Sequence, residues 1–162
     1  MLKAPHCVLV LDLVGHRVAI PGFEHLLAVL GVESDAMLAG VISTAATTPL
    51  QIVPTLNRYV GDMSDHAAFR RADIPFLFFS SGQSSHYHQA SDTPNTLDYE
   101  RMVWLVNYLA DIIQGLDVTP QRGEYDSLSF ELEQLNKLGL GLRSRADINA
   151  LAERLTNSVL SY

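Results

Sequence analysis

Residues 7–14 read CVLVLDLV, an almost continuous run of branched and leucine side chains with the length of one β-strand. Such a run is typical of a strand that is buried on both faces of a sheet. Asp12 interrupts it near its end, and Gly15 favours a turn directly afterwards. Because an unpartnered carboxylate is costly to bury, we expect Asp12 at the exposed carboxyl end of the strand, bound to a metal ion, a hydrogen-bond donor or a cation.

Predicted strands and helices alternate along the rest of the first two thirds of the chain. Residues 50–56 and the aromatic run PFLFFS at 75–80 predict two more strands. Helices are predicted at residues 23–30, 35–44, 65–72 and 98–116, with Ser64 as N-cap of the third and Asp98 as N-cap of the fourth. This alternation predicts an α/β fold with three α/β/α layers and a mainly parallel sheet, and a mixed sheet is also compatible with it.

The C-terminal part of the chain has a different character. Residues 117–126 are rich in turn-forming residues, and two helical patterns follow on either side of a glycine linker at 139–141. The second pattern begins at Ser144 with Asp147 three residues later, a variant of the capping box. We therefore expect a layered domain at residues 1–116 and a helical extension at residues 117–162 that packs on it.

Composition and charge narrow the class of protein. The 162 residues are 48% apolar, which suits one globular domain with a sizeable core. Acidic residues outnumber basic ones by 18 to 11, and the basic residues are scattered, so nucleic acid is not expected as a partner. No apolar run approaches the ~20 residues that cross a bilayer, so no membrane span is expected. The lone Cys7 and the absence of a signal-peptide pattern leave the cellular compartment open.

Three clusters contain the residues that could perform chemistry. They are Asp12, the segment GDMSDHAAF at residues 61–69, and the segment HYHQASDTP at residues 86–94. Each follows or flanks a predicted strand. Ligands of open α/β sheets bind beyond the carboxyl ends of the strands, so the three clusters are expected to converge on one crevice.

The residues themselves leave alternatives open at each cluster. His88 has the imidazole that suits zinc, and Asp92 four residues later is placed to orient it, but a histidine in a polar loop is also a common surface residue. Asp12 is equally compatible with a metal ion and with an arginine or amide partner. Ser64, Asp65 and His66 are consecutive, and a catalytic triad is not expected because consecutive residues do not align as nucleophile, base and acid.

Four segments taken together resemble the co-catalytic zinc peptidase family, which includes bacterial leucyl aminopeptidases, glutamate carboxypeptidase and glutaminyl cyclase. They are LDLVG at 11–15, SDHAAF at 64–69, IPFLFF at 74–79 and YHQASDTPNTLDYERM at 87–102. The resemblance covers roughly residues 8–116, and the block from Tyr87 to Pro94 followed by a long helix is its most specific part. It implies that residues 1–116 correspond to the C-terminal half of a zinc-exopeptidase domain.

The resemblance also implies a site with two zinc ions that acts on a peptide substrate. Asp12 matches the ligand of one zinc ion and His88 matches the ligand of the other. Asp65 and His66 are expected to support the site or to bind the polar end of the substrate, and Tyr87 and Asp92 are expected to do likewise. In the family, two metal ions activate a shared water while a glutamate transfers its proton.

The sequence departs from the family upstream of Asp12. The eleven residues there contain His6 and no acid, so the family's H-x-D motif and its Glu-Glu pair, which supplies the general base, are not in their usual place. We therefore expect the chain alone to be inactive and to bind zinc weakly. A noncatalytic binding module and a glutaminyl-cyclase-like enzyme are the alternatives. A half sheet also exposes an edge or an apolar face, which predicts self-association into a homo-oligomer.

Overall fold

One mixed sheet of four strands organises the computed structural model, which describes residues 5–45, 48–116 and 128–159. Its strands are β1 (Val8–Leu11), β2 (Leu26–Leu30), β3 (Gln51–Thr55) and β4 (Phe76–Ser80), in the order β1-β4-β2-β3. β1 runs parallel to β4 and β2 parallel to β3, whereas β2 and β4 are antiparallel. The predicted α/β class and the mainly parallel, mixed sheet are therefore confirmed.

The helices lie on both faces of this sheet. They are α1 (Leu38–Thr44), α2 (His66–Arg71), α3 (Tyr99–Gly115), α4 (Leu128–Lys137) and α5 (Arg145–Val159). Side chains alternate along β4, so Leu77 and Phe79 pack with α1 and α3 on one face, while Phe76 and Phe78 face Phe69 of α2 on the other. Every residue of β4 is buried, which explains why this segment reads as an unbroken apolar run.

The helix predicted at residues 23–30 is wrong, because residues 26–30 form the strand β2. Its sequence LLAVL has no polar positions, so its hydrophobic pattern does not distinguish a buried strand from a buried helix. β2 lies between β3 and β4, and both neighbours supply hydrogen-bond partners to its backbone. Tertiary pairing therefore decided the conformation of this segment.

The helix predicted at residues 98–116 is confirmed as α3, with Asp98 at its N-cap. The Asp98 side chain accepts a hydrogen bond from the backbone N–H of Arg101 at 3.0 Å. The buried side of α3 consists of residues spaced four, three and four apart. Val106 and Ile113 are also apolar residues of this helix, but both are exposed. The buried members are Arg101, Leu105, Tyr108 and Ile112.

Ser64 does not cap α2, contrary to the sequence prediction. The N-cap residue is Asp65, and no side chain there bonds to the helix backbone. The Ser64 hydroxyl is instead used in a long-range contact described below. At the other end of α2, the N–H of Asp73 donates to the carbonyl of Arg70 and the N–H of Ile74 donates to the carbonyl of Phe69. These two hydrogen bonds form a Schellman motif. Asp73 has φ 52°, a left-handed conformation that favours glycine.

An ion pair with a buried carboxylate joins the two C-terminal helices and links them to the turn after β3. Glu131 of α4 is 1% exposed and pairs with Arg145 at the start of α5. Arg145 Nη1 also donates to the hydroxyl of Tyr59 at 3.1 Å, in the turn after β3. As predicted, Ser144 caps α5 by accepting a hydrogen bond from the N–H of Asp147. The turn-rich stretch predicted at residues 117–126 lies outside the described residues, and the domain boundary at 116/117 stays a prediction.

β1 forms an edge of the sheet among the described strands, and Leu11 at its end is 44% exposed. Such an edge leaves backbone groups without strand partners. Self-association through this edge or through an apolar face stays a prediction. Within the described parts of the chain, no helix has both the length and the apolar character that crossing a membrane requires.

Replacing Asp73 with Gly should stabilise the protein by about 0.5–1 kcal/mol, because glycine adopts the left-handed conformation without steric strain. Urea unfolding measures the difference in the free energy of unfolding. Asp73→Ala is the matched control, since it removes the carboxylate but keeps the Cβ atom that causes the strain. Equal stability of the Gly and Ala variants would contradict the argument.

The ion pair of Glu131 generates a prediction about pH. Burial raises the pKa of Glu131, and the Arg145 guanidinium opposes this shift. A carboxyl with a higher pKa in the folded state stabilises the fold fully below its unfolded pKa of about 4.3, and this contribution is lost as the pH rises through the folded pKa. The free energy of unfolding of the wild type minus that of Glu131→Gln should therefore increase from pH 7 to pH 4. A constant or decreasing difference would show that burial does not dominate.

Candidate functional site

The parallel pairing of β1 and β4 brings the carboxyl ends of both strands to the same side of the sheet, which is called the carboxyl edge and differs from the lateral edge at β1. Leu11 is paired with Phe79, so Asp12 and Ser80 follow at the same level. The N–H of Asp12 donates to the carbonyl of Phe79 at 3.1 Å, and the N–H of Ser81 donates to the carbonyl of Leu13 at 3.3 Å. Asp12 follows the last residue of β1 and is partly buried, in line with its predicted place at the carboxyl end of the strand.

The chain turns sharply after Asp12 and packs against the start of α3. Leu13 has φ 57°, which is uncommon for a residue with a branched side chain. The carbonyl of Gly15 accepts a hydrogen bond from the N–H of Asp98 at 2.9 Å. A Cβ atom at Gly15 would lie 2.7 Å from Leu97 Cδ2, so a larger residue here would require the Leu97 side chain to move. The loop after β1 is therefore fixed against the end of the loop between β4 and α3, here called the polar loop (residues 81–98).

Ser64 links the second cluster to Asp12. The Ser64 hydroxyl donates to Asp12 Oδ2 at 2.8 Å, across 52 residues of sequence. A hydrogen bond to an ionised carboxylate is stronger than one between neutral groups. Ser64 therefore fixes the orientation of the Asp12 side chain and leaves its other oxygen, Oδ1, available to another partner.

The other members of this cluster have different positions. The His66 ring is fully buried, and it stacks on Phe78 with the ring centroids 4.4 Å apart. Its Nε2 atom donates to the carbonyl of Gly61 at 3.1 Å. The ring is therefore shielded from solvent, and the role of His66 in a site stays a prediction. Asp65 is exposed at the start of α2.

His88 lies on the surface of the polar loop. Its ring is stacked on that of Tyr87, with centroids 3.9 Å apart, and its backbone has φ 55°. Neither nitrogen of this ring bonds to another residue within the described part of the chain. An exposed imidazole of this kind is available to a metal ion.

Asp92 contacts a different histidine from the one that the spacing suggested. Its Oδ1 atom lies 3.8 Å from Nε2 of His16, and no hydrogen bond or ion pair joins it to His88. Side chains four residues apart are close neighbours in an α-helix, and the left-handed backbone at His88 breaks that geometry here. The same His16 atom is 3.1 Å from Thr96 Oγ1, and the His16 ring stacks on that of His86.

Sequence reasoning missed two residues that join the loops. One is His16, whose contacts connect the loop after β1 to the polar loop. The other is Arg101, which is fully buried and donates to the carbonyl of Val14 and to Ser81 Oγ, both at 2.6 Å. The helical spacing of the sequence indicates its burial, because Arg101 lies four residues before Leu105 and seven before Tyr108, on the buried side of α3.

The described residues do not by themselves fit a zinc ion. Residues 5–45, 48–116 and 128–159 contain no group of three or more histidine, cysteine or acidic side chains arranged to hold a metal ion. Zinc in proteins binds three or four protein ligands, so Asp12 and His88 are too few for a complete centre. The arrangement can present a positioned carboxylate and an accessible imidazole.

Comparison with known proteins gives one kind of match. Residues 2–112 match the family described as Peptidase family M28. No curated protein and no solved structure gives a match. The matched span contains Asp12, Ser64 and His88 together with all four strands, whereas α4 and α5 lie beyond it.

A double-mutant cycle tests the contact between Ser64 and Asp12. Ser64→Ala and Asp12→Ala should show a coupling energy of about 1–2 kcal/mol at pH 7, because the hydrogen bond involves a charged acceptor and is only partly exposed. Urea unfolding of the four proteins measures it. A second cycle that combines Ser64→Ala with the distant Asp73→Ala should be additive. A coupling near zero in the first cycle would mean that the contact does not orient Asp12.

Proposed function

Because the chain belongs to peptidase family M28, we propose that it contributes to a zinc-dependent exopeptidase site of the aminopeptidase type. One observation supports this proposal: contacts link each of the other two clusters to Asp12 or to the loop that follows it. Ser64 of the second cluster bonds to Asp12, and the polar loop that contains His88 is bonded to the loop after Asp12. Separate functions for the three clusters would not require this arrangement.

In this proposal Asp12 and His88 each provide one ligand, to two different zinc ions. Ser64 holds the Asp12 carboxylate, and stacking on Tyr87 holds the exposed ring of His88. Bound zinc supplies Lewis-acid chemistry at a peptide carbonyl. Asp65 is exposed and therefore available to the polar end of a peptide, whereas the buried His66 supports the segment before α2.

The proposal requires further groups, because the described residues do not form a complete metal centre. The missing ligands and the general-base glutamate must come from polypeptide other than the described residues. The chain's own task is then to hold one carboxylate and one imidazole in position.

A noncatalytic binding module is the second candidate, and the incomplete donor set favours it. A fold can persist when the chemistry of its site is lost. Such a module would keep Ser64 and Arg101 for stability, but zinc would have no effect on it. The two candidates therefore differ in their response to zinc.

Zinc binding and peptide hydrolysis distinguish the two candidates. Calorimetry should be performed on these 162 residues and on the longest natural product of the gene, each as wild type, Asp12→Asn and His88→Ala. We expect the longer product to bind zinc and to release N-terminal residues from peptides, and each substitution to weaken zinc binding by at least about tenfold, since each removes a direct ligand.

His6→Ala is the matched control, because His6 is also an exposed histidine but lies outside the three clusters. It should leave zinc affinity unchanged. Failure of both products to bind zinc would overturn the proposal and support the noncatalytic module. Mass spectrometry of the products would also detect cyclisation of N-terminal glutamine, the outcome expected of a glutaminyl-cyclase-like enzyme.

A further inference from the structure

Arg101 is a cation with no exposed surface, in the first turn of α3. Burying a guanidinium is unfavourable unless its donors are satisfied. No carboxylate lies within ion-pair distance of it in the described structure, and Asp98, which acts on it electrostatically, is paired with Arg17. A buried arginine without a paired carboxylate therefore needs another explanation for its position.

Hydrogen bonds of both terminal nitrogens explain the position of Arg101, while its buried Nε has no partner among the described residues. Nη1 donates to the carbonyl of Val14 at 2.6 Å, and Nη2 donates to Ser81 Oγ at 2.6 Å and to the carbonyl of Leu26 at 2.9 Å. These acceptors are 87, 20 and 75 residues away in sequence. One planar guanidinium thus joins three separate segments.

Two of these segments lead directly to the proposed ligands. Val14 is two residues after Asp12, and Ser81 is the first residue of the polar loop that contains His88. The third segment begins β2, which is part of the rigid sheet. The guanidinium therefore fixes both loops to each other and to the sheet at the point where each loop begins.

The geometry requires arginine in particular. Its donors are arranged in a rigid planar fork, so two nitrogen atoms can reach three acceptors at fixed angles. A lysine ammonium has a single nitrogen atom on a flexible stem and cannot span acceptors on opposite sides of the fork. Lysine at position 101 is therefore expected to keep the charge and only part of the contacts.

We propose that Arg101 is a positioning residue, which sets the relative placement of the loop after β1 and the polar loop. The placement of the loops follows from the described contacts, whereas its meaning for a zinc site rests on the proposed function. Arg101 touches neither proposed ligand and acts through Val14 and Ser81.

Amide hydrogen exchange of the metal-free chain tests the placement directly. The N–H of Ser81, bonded to Leu13, and the N–H of Asp98, bonded to Gly15, report on the junction of the two loops. Arg101→Met should accelerate exchange at both by about tenfold or more relative to amides in the middle of β4, because the junction opens locally when its shared donor is lost. Arg101→Lys should restore part of the protection.

Arg17→Met is the matched control, since Arg17 is an arginine that also contacts Asp98 but is mostly exposed. It should leave exchange at Ser81 unchanged. If Arg101→Met does not fold, Ser81→Ala removes one acceptor only and should still accelerate exchange at the junction. Unchanged exchange in whichever of these two variants folds would overturn the proposal.

A zinc titration of the same variants separates this inference from the proposed function. Faster exchange in Arg101→Met, together with weaker zinc binding than in the wild type, supports both. Faster exchange with no zinc binding by any natural product of the gene retains the positioning role and rejects the zinc site. Unchanged exchange with normal zinc binding rejects the positioning role and retains the site.

Discussion

The parallel pairing of β1 with β4 is the constraint on which the rest of this structure depends. Its register sets Leu11 opposite Phe79, so Asp12 and Ser81 leave the sheet at the same edge. β4 is buried throughout because β1 and β2 flank it and helices cover both of its faces. The apolar core therefore determines where the polar groups meet, and the two loops that carry the proposed ligands start only one strand spacing apart, about 5 Å.

Buried polar groups then fix the loops that the sheet brings together. Arg101 bonds to the beginnings of both loops, and Ser64 bonds to Asp12. Elsewhere, the Glu131–Arg145 pair attaches α4 and α5 near the turn after β3. Each of these hydrogen bonds stabilises one arrangement against looser alternatives, because a polar group that loses its partner is costly to bury. The relative positions of the two loops are thus fixed by hydrogen bonds more than by hydrophobic burial, which has no directional preference.

The chain belongs to peptidase family M28, but its described residues provide only part of a metal site. The family match covers the four described strands and the three clusters. The described residues nevertheless hold no group of three metal-binding side chains. The proposed zinc site therefore requires groups other than the described residues. α4 and α5 lie beyond the matched span and pack near the segment that leads to Ser64.

Local patterns in the sequence were enough to predict β1, β4 and α3, because a long apolar period or an all-buried aromatic run permits few alternatives. They also predicted the capping roles of Asp98 and Ser144, which involve backbone groups only three residues away. The sequence identified the three polar clusters, since polar residues next to apolar strands are conspicuous. Tertiary structure decided the conformation of β2, which side of α3 is buried, and the partners of Ser64, Asp92 and Arg101. Those partners lie 20 to 87 residues away, and a hydrogen bond over such a distance depends on the packing of the whole sheet.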